Sequence, residues 1–274
     1  MTRRTIPVLF SAAILLAAAD CGFVQAQGLI FSLPEDGTGV EYQGTLVQEN
    51  ERPDLPDNKE VLKWTKELSI KSVGREDADY AGVVQPCRWI EIKVVTGAAG
   101  AGGIDSGPVG ARIYKVLVPE SKVIGSSVDS QTIPNTVMPI VKGYRRLGEE
   151  PVEELNGRGL VVYPTLCLLA NYRNPETITA SDRVENASGQ DSFDARHMKG
   201  TVVRERPDAR STNTGEFWVS RDVPFGLAGW TVTVRREAKV TTEIRDRFQL
   251  VSTVTCQMKV KKLLDTAETE LVTD

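Results

Sequence analysis

The chain has one histidine, His197, and its neighbours decide which chemistry it could support. Asp191, Asp194 and His197 follow one another at intervals of three residues. A histidine with carboxylate partners is a common arrangement in metal sites and in general-base catalysis. The segment is predicted as a loop that leads into a strand, so the spacing does not place the three side chains on one helical face. We therefore predict a surface histidine and no enzyme.

The other patterns with chemical potential are incomplete. The segment 125–127, Gly-Ser-Ser, lacks the rest of the Gly-x-Ser-x-Gly nucleophile motif. The glycine-rich run 97–103 has no Gly-Lys-Ser/Thr ending and is followed by a strand, which predicts a flexible hairpin loop. The acidic group at 149–154 lacks the alternating Asp/Asn and Gly of a calcium loop. We predict no catalytic residue, no metal site and no cofactor.

Large aromatic side chains are the remaining candidates for a site. Each tryptophan lies in a predicted strand, where its ring contributes most by burial. On the inner side of a curved sheet such rings line a concave apolar site for a lipid or an acyl chain. The alternative is that they fill the core. The predicted ligand-binding residues are Trp64, Trp89, Trp218, Phe225 and Trp230.

The elements that would position these residues are strands. Within Phe217–Trp230, alternating residues are interrupted by Pro224 and Gly226, and the alternation resumes from Trp230 to Val234. This pattern predicts a β-hairpin. Most of the chain repeats it, so we predict a mainly β fold, a curved antiparallel sheet or half-barrel with few short helices.

Further strands, loops and one helix are predicted along the chain. Asn174–Asp194 is predicted as a loop and Pro207–Thr214 as a turn region, while Pro151–Leu155 is compatible with a short helix. Residues 119–159 are predicted to form an irregular insertion or lid. The predicted strands are a first strand around Val40–Val47, then Trp64–Val73, Arg88–Val95, Ala111–Val118, a bent and buried strand within Leu160–Tyr172, His197–Arg206, and a last strand from Phe248 to Val260 with a bulge near Val251.

The N-terminus is typical of an export signal. Arg3 and Arg4 precede the apolar run Ile6–Ala19, and residues 24–26 offer a cleavage site. We predict a signal peptide over residues 1–26, a single β-rich domain over 27–262 and an exposed tail over 263–274. The protein is then periplasmic or extracellular, with no transmembrane segment in the mature chain. Lipidation at Cys21 is the competing interpretation, although Asp20 stands where that signal prefers a small residue.

The net charge disfavours one class of partner, and the cysteine spacing disfavours one kind of metal site. The net charge is −4 and basic residues are scattered among acids, which disfavours nucleic acid. Beyond the signal peptide the cysteines are Cys87, Cys167 and Cys256, whose spacing does not fit a zinc site. One pair could form a disulfide in an oxidising compartment, and the sequence does not select the pair. Cys167 lies in an apolar run and is predicted to be buried.

One resemblance adds to this reading. The run Trp218-Val219-Ser220, with the following residues 223–227 and Trp230, resembles a hairpin of secreted bacterial envelope proteins. The nearest named group is the LolA/LppX-like superfamily of lipoprotein carriers and lipid-binding proteins, and the resemblance covers about the last third of the chain. It implies an open half-barrel with an apolar groove. The long helices that cover the concave face in that family have no counterpart in this sequence.

Two hypotheses on function follow from the sequence. The first is a non-enzymatic binding protein that holds a lipid or a lipidated partner in an apolar groove of the sheet. The second is a structural or protein-interaction module of the cell envelope, with a packed core and no small ligand. A continuous apolar cavity would favour the first, and a packed interior would favour the second.

Overall fold

A computed structural model describes residues 28–100, 103–107, 110–123, 137–156, 159–161, 166–172 and 174–272. The predicted signal peptide and Cys21 lie outside these residues. The described chain contains one α-helix, α1 (Glu120–Val123), and two short 3-10 turns, Pro224–Gly226 and Arg245–Arg247. The strands are β1 (Gly39–Glu51), β2 (Lys59–Tyr80), β3 (Val83–Gly100), β4 (Gly103–Asp105), β5 (Arg112–Pro119), β6 (Val137–Pro139), β7 (Lys142–Leu147), β8 (Glu153–Glu154), β9 (Gly159–Val161), β10 (Glu176–Glu185), β11 (Ser192–Glu205), β12 (Ala209–Val219), β13 (Leu227–Ala238) and β14 (Gln249–Leu264).

Most strands join one open antiparallel sheet. Twelve strands belong to it, in the order β10-β11-β12-β13-β14-β1-β2-β3-β5-β7-β8, with β4 added beside β3. The strands β6 and β9 form a separate pair. This architecture confirms the prediction of a mainly β fold with a curved antiparallel sheet and few short helices. Among the described residues no helix has the length and apolar character needed to cross a membrane.

The predicted hairpin is formed by β12 and β13. Phe217 pairs with Trp230 across the two strands. The connection passes through Pro224–Gly226, where Phe225 has φ 64° and Gly226 has φ 86°. A positive φ is uncommon for a residue other than glycine, and Phe225 is held there with its ring completely buried. The bulge predicted near Val251 is also present, since Glu237 pairs with Leu250 and Arg236 with Ser252.

Strand alternation gives the sheet two faces. We call the side that carries Phe217, Trp230 and Met258 the inner face, since these residues stand in one row of paired positions. The opposite side, which carries Trp218 and its neighbour in the ladder, Gly229, is the outer face. The inner face holds the main core, because residues such as Trp230 and Met258 there are at most 1 % exposed.

Two segments of the chain cover the inner face, and we call them the covering segments: Gly28–Leu33 and Leu166–Tyr172. In the first, the ring centroid of Phe31 lies 5.5 Å from that of Phe217, and Phe31 N donates to Phe225 O at 2.9 Å. In the second, the Tyr172 ring stacks on Phe217 at 5.7 Å. The Tyr172 hydroxyl donates to Asn213 Oδ1 at 2.6 Å, and Asn213 Nδ2 donates to Leu168 O at 2.8 Å.

A pair of glycines makes room for the Tyr172 ring. Gly200 and Gly215 face each other on β11 and β12. A Cβ atom at Gly215 would stand 2.1 Å from the Tyr172 hydroxyl oxygen, and one at Gly200 would stand 2.4 Å from the ring. Only a residue without a side chain therefore permits Leu166–Tyr172 to lie this close to the sheet.

We expect Gly215→Ala to destabilise the protein by about 1–3 kcal/mol, since the added methyl group must push Tyr172 and its segment off the sheet. Urea denaturation followed by tryptophan fluorescence measures the loss. Gly100→Ala is the matched control, because its Cβ would meet Gly103 O at an ordinary 3.4 Å. Equal midpoints for Gly215→Ala and the unaltered protein would contradict this account of the packing.

Several predicted boundaries are wrong, and in each case pairing overrides local composition. The segment Pro151–Leu155 is not helical, because Glu153 and Glu154 form β8 beside β7. Within the segment predicted as a loop, Asn174–Asp194, residues Glu176–Glu185 form the edge strand β10. The predicted turn region Pro207–Thr214 is largely part of β12. The strand predicted at Trp64–Val73 is longer, since β2 covers Lys59–Tyr80.

The region 119–159 and the apolar stretch after it are partly described. Residues 119–159 contribute α1, β6, β7 and β8 and the start of β9. The prediction of a buried strand within Leu160–Tyr172 holds for burial, as Leu166 and Tyr172 are at most 1 % exposed. It is wrong for the secondary structure of Leu166–Tyr172, which is neither strand nor helix. This segment covers the sheet without joining it.

The tail predicted to be exposed is docked at Thr269–Leu271. Leu271 is completely buried. Glu91, on the outer face of β3 and 1 % exposed, accepts hydrogen bonds from Glu270 N, Leu271 N and the Thr269 hydroxyl at 2.6–3.1 Å. The expectation of an exposed tail is therefore wrong for this part, because a buried carboxylate supplies acceptors for its backbone.

Candidate functional site

Two of the five predicted ligand-binding residues lie in the core. Phe225 and Trp230 are completely buried on the inner face beneath the covering segments. The Trp230 ring packs edge-on against Tyr42, with centroids 4.9 Å apart. The Tyr42 hydroxyl donates to Leu227 O at 3.0 Å and so joins β1 to the start of β13. Burial raises the pKa of this hydroxyl, so it remains a donor at neutral pH. Both aromatic residues serve packing in this structure.

Trp218 lies on the opposite face from Trp230. Its ring stacks on the imidazole of His197, with centroids 4.5 Å apart and an angle of 12°. Its Nε1 donates to Asp182 Oδ2 at 3.0 Å, which ties the hairpin to the edge strand β10. A cavity of about 370 Å³ is lined by both Trp218 and Trp230 and by charged residues that include Arg183, Glu185 and Lys259.

Trp64 and Trp89 are half-buried and lie apart from this group. Trp64 stands on β2 opposite Leu46 of β1, on the inner face. Trp89 stands on the outer face of β3 and stacks on Tyr144, with ring centroids 6.2 Å apart. The Lys115 ammonium lies 5.5 Å from the Trp89 centroid. The five predicted residues are thus distributed over both faces of the sheet, and the structure brings only Trp218 and Trp230 to one cavity.

Another cavity lies at the lower end of the inner face, the end at which β12 finishes and β13 begins. Its volume is about 470 Å³, within the range of small-molecule sites. Its apolar lining comes from Phe31, Ala195, Met198 and Val219. Phe225 and Trp230 do not line it, but the hairpin that contains them supplies Val219 and Gly226. The β12–β13 hairpin therefore borders this cavity through Val219 and Gly226 rather than through Phe225 and Trp230.

Charged groups ring the mouth of this cavity. Arg196, Arg221, Asp194 and Asp222 all line it and are exposed. Within the described part of the chain, the guanidinium groups of Arg196 and Arg221 have no ion-pair or hydrogen-bond partner. Arg196 is opposite Val219 in the sheet, so its charge stands beside the apolar lining. A pocket with both apolar and polar lining, and with two unpaired cations and two carboxylates at its mouth, suits an amphiphilic ligand.

Backbone contacts fix the shape of this mouth. The Ser220 hydroxyl donates to Asp194 O at 2.7 Å, which joins the end of β12 to β11. Ser220 N donates to Gly226 O at 3.0 Å and closes the loop that carries Arg221 and Asp222. Gly226 packs on the first covering segment, since a Cβ atom there would stand 2.8 Å from Phe31 Cβ. The hairpin connection and the covering segment thus build the cavity together.

His197 does not meet Asp191 or Asp194. Its nearest acidic partner is Glu216, whose Oε2 lies 3.6 Å from Nε2, too far for a hydrogen bond. Glu216 is held instead by Lys199 at 2.9 Å, and this hydrogen bond keeps the pKa of its carboxyl below the usual value. Asp191 accepts from Asn186 Nδ2 at 3.3 Å in a turn. Among the described residues no three His, Cys, Asp or Glu side chains form a metal-binding group.

Sequence reasoning missed Arg196, Met198 and Arg221. Arg196 and Met198 alternate on β11 just after the polar loop, which indicates one strand face. Arg221 follows the predicted strand end at Ser220. No local signal brings these two segments together with Phe31, which lies far away in sequence.

No protein-family model matches this chain, and a search of curated proteins finds no match.

Proposed function

We propose that this protein is a non-enzymatic binding protein of the cell envelope that holds a single-chain lipid in the cavity at the lower end of the inner face. The observation that carries this proposal is the combination of a cavity of about 470 Å³, whose lining is partly apolar and partly polar, with two unpaired guanidinium groups at its mouth. The resemblance to lipid-binding envelope proteins and the predicted signal peptide agree with it.

The lining suits the two ends of such a ligand. Phe31, Met198 and Val219 offer apolar surface, and burying an acyl chain there gains about 0.8 kcal/mol for each CH₂ group. A guanidinium group binds a phosphate through paired N–H donors. Asp194 and Asp222 at the same mouth suit an ammonium group. The chemistry therefore favours a headgroup that carries both a phosphate and an amine.

The test is direct binding of lysophosphatidylethanolamine to the protein, prepared without detergent and analysed by native mass spectrometry and calorimetry. We expect one lipid per chain. The double variant Arg196→Gln and Arg221→Gln should weaken binding at least tenfold, about 1.4 kcal/mol or more, because each lost charge-assisted hydrogen bond contributes roughly that amount.

Arg235→Gln together with Arg236→Gln is the matched control. Both residues are exposed, lie near the opposite end of β13 and do not line the cavity. The control makes the same change in net charge, so it should leave the affinity unchanged. An equal loss of affinity in both double variants would mean that general electrostatic attraction, and not the two guanidinium groups at the mouth, binds the headgroup. A protein that takes up no lipid at all would overturn the proposal.

The second candidate is a structural or protein-interaction module, and the packed inner face favours it. Trp230 and Phe225 are completely buried, and the two covering segments occupy the concave surface. A groove along the middle of that surface would need one of these segments to leave. A protein that remains without ligand in the lipid test, with Trp230 fully protected from solvent quenchers, would support this second function.

A further inference from the structure

The sheet separates one buried cysteine from the other two. Cys87, Cys167 and Cys256 are all completely buried. Cys87 stands on β3 two residues before Trp89 and therefore shares the outer face with it. The inner face of the same strand carries Ile90 and Ile92. Cys256 stands opposite Val232 on the inner face of β14. A bond between Cys87 and either other cysteine would have to pass through the sheet.

Cys167 lies on the same side as Cys256. It belongs to the covering segment Leu166–Tyr172, and the next residue, Leu168, accepts a hydrogen bond from Asn213 at 2.8 Å. Asn213 of β12 faces Val234 of β13, which faces Val254 of β14, two positions before Cys256. Cys167 and Cys256 both belong to one continuous hydrophobic cluster. The segment thus places Cys167 over the part of the sheet that carries Cys256.

A buried lysine acts electrostatically on both thiols. Lys66 is 5 % exposed and stands on the inner face of β2, opposite Gly44, which faces Met258. Burial raises the pKa of Cys167 to about 12, and the Lys66 ammonium opposes that rise. Burial likewise raises the pKa of Cys256, and Lys66 again opposes it. A charge on Cys256 in turn raises the pKa of Cys167, so these three groups form one cluster.

We propose that Cys167 and Cys256 are a disulfide site, and that their oxidation fastens the covering segment Leu166–Tyr172 to β14 while Cys87 remains a free thiol. The segment contains no regular secondary structure, so its backbone can adjust to the Cβ separation of about 3.5–4.5 Å that a disulfide needs. The bond would hold the chain's own residues against the inner face and keep that surface closed.

The oxidant is a disulfide of the exported compartment, of which oxidised glutathione is the simplest example. One thiolate attacks a sulfur of the oxidant, forms a mixed disulfide and releases one thiol. The second thiolate then displaces the remaining thiol, so the oxidant gains two electrons and two protons and the protein loses them. Because both thiols are buried with raised pKa values in the folded chain, this exchange takes place during folding.

The test is a thiol count on the mature protein, residues 27–274, which lacks Cys21, after refolding in a mixture of reduced and oxidised glutathione. Monomer with native circular dichroism is isolated by gel filtration, denatured and alkylated. We expect one alkylated thiol instead of three, and a chain lighter by two hydrogen atoms. Digestion without a reductant should give one linked pair of peptides, which carry Cys167 and Cys256.

Two variants test which cysteines are linked. Cys87→Ser should retain the linked peptides and show no free thiol. Cys256→Ser should show two free thiols, no link, and faster proteolysis within Leu166–Tyr172. Three alkylated thiols in the refolded monomer would overturn the proposal, and so would any link that includes Cys87.

Discussion

Replacing Trp230 by alanine is expected to destabilise the protein by about 3–5 kcal/mol, the usual cost of removing a buried aromatic side chain. Trp230 is completely buried and lies at the centre of the inner face, against Tyr42 and opposite Phe217 and Met258. The covering segments limit how far the surroundings can collapse into the space. We therefore expect a value in the upper part of that range.

Trp230→Phe separates packing from polarity at the same position. The Trp230 Nε1 atom is buried and has no hydrogen-bond partner among the described residues. Such a group costs about 1–3 kcal/mol in lost hydration. Phenylalanine removes that group while it keeps an aromatic ring against Tyr42. We therefore expect Trp230→Phe to lose much less stability than Trp230→Ala.

Chemical denaturation of both variants measures these differences. Trp64→Ala is the control, since Trp64 stands on the same face but is half-buried. It should cost less than Trp230→Ala. Similar losses for Trp64→Ala and Trp230→Ala would mean that burial on the inner face does not determine the contribution of each aromatic ring. A large loss for Trp230→Phe would show that shape outweighs the removed N–H group.

Local patterns were sufficient to predict the β12–β13 hairpin and the bulge at Val251. In both cases the signal comes from adjacent residues: Pro224 and Gly226 interrupt an alternation, and the parity of the last strand changes at one position. Neither depends on a distant partner. The mainly antiparallel architecture follows from repeating such patterns along the chain, which is why the fold class could be predicted.

The edge strand and the covering segment could not be predicted in this way. The polar residues of β10 are typical of a loop, yet Glu176–Glu185 pairs with β11, where solvent-exposed edge positions accept polar side chains. Leu166–Tyr172 is apolar like a buried strand but joins no ladder. Its position depends on Gly200, Gly215 and Asn213, which are distant in sequence.

The candidate site was the least predictable feature for the same reason. The tryptophans were conspicuous in the sequence, but strand parity places Trp218 and Trp230 on opposite faces. The alternation of side chains along β12 and β13 would alone have been enough to place Trp218 and Trp230 on opposite faces. The cavity at Arg196, Met198 and Arg221 needs Phe31 from the first covering segment as its wall, and this contact crosses most of the chain.

Replacing Glu91 by glutamine is expected to release the C-terminal tail, with a loss in docking free energy of about 3 kcal/mol, roughly a hundredfold. The Glu91 carboxylate accepts from two backbone N–H groups and from the Thr269 hydroxyl. An amide offers one oxygen and directs an NH₂ group at these donors. Lys71 Nζ, 3.7 Å from Glu91, also loses a neutralising charge.

The other contacts of the tail would remain in Glu91→Gln, and they limit how far the tail is released. Lys71 Nζ binds Glu270 Oε1 at 2.7 Å, and Lys93 binds the same carboxylate. Burial raises the pKa of Glu270, but the hydrogen bonds from both lysines outweigh it and keep that pKa below its usual value. The sheet itself does not depend on the tail. We therefore expect local release rather than global unfolding.

Hydrogen exchange at the Glu270 and Leu271 amides measures this release directly, because both N–H groups donate to Glu91. Their protection should fall about a hundredfold in Glu91→Gln, while the amides of β12 and β13 keep theirs. Glu268→Gln is the matched control, since Glu268 is exposed and offers Lys71 only a backbone carbonyl that the substitution preserves. Unchanged protection of Leu271 in Glu91→Gln would mean that burial of the Leu271 side chain, and not the buried carboxylate, holds the tail.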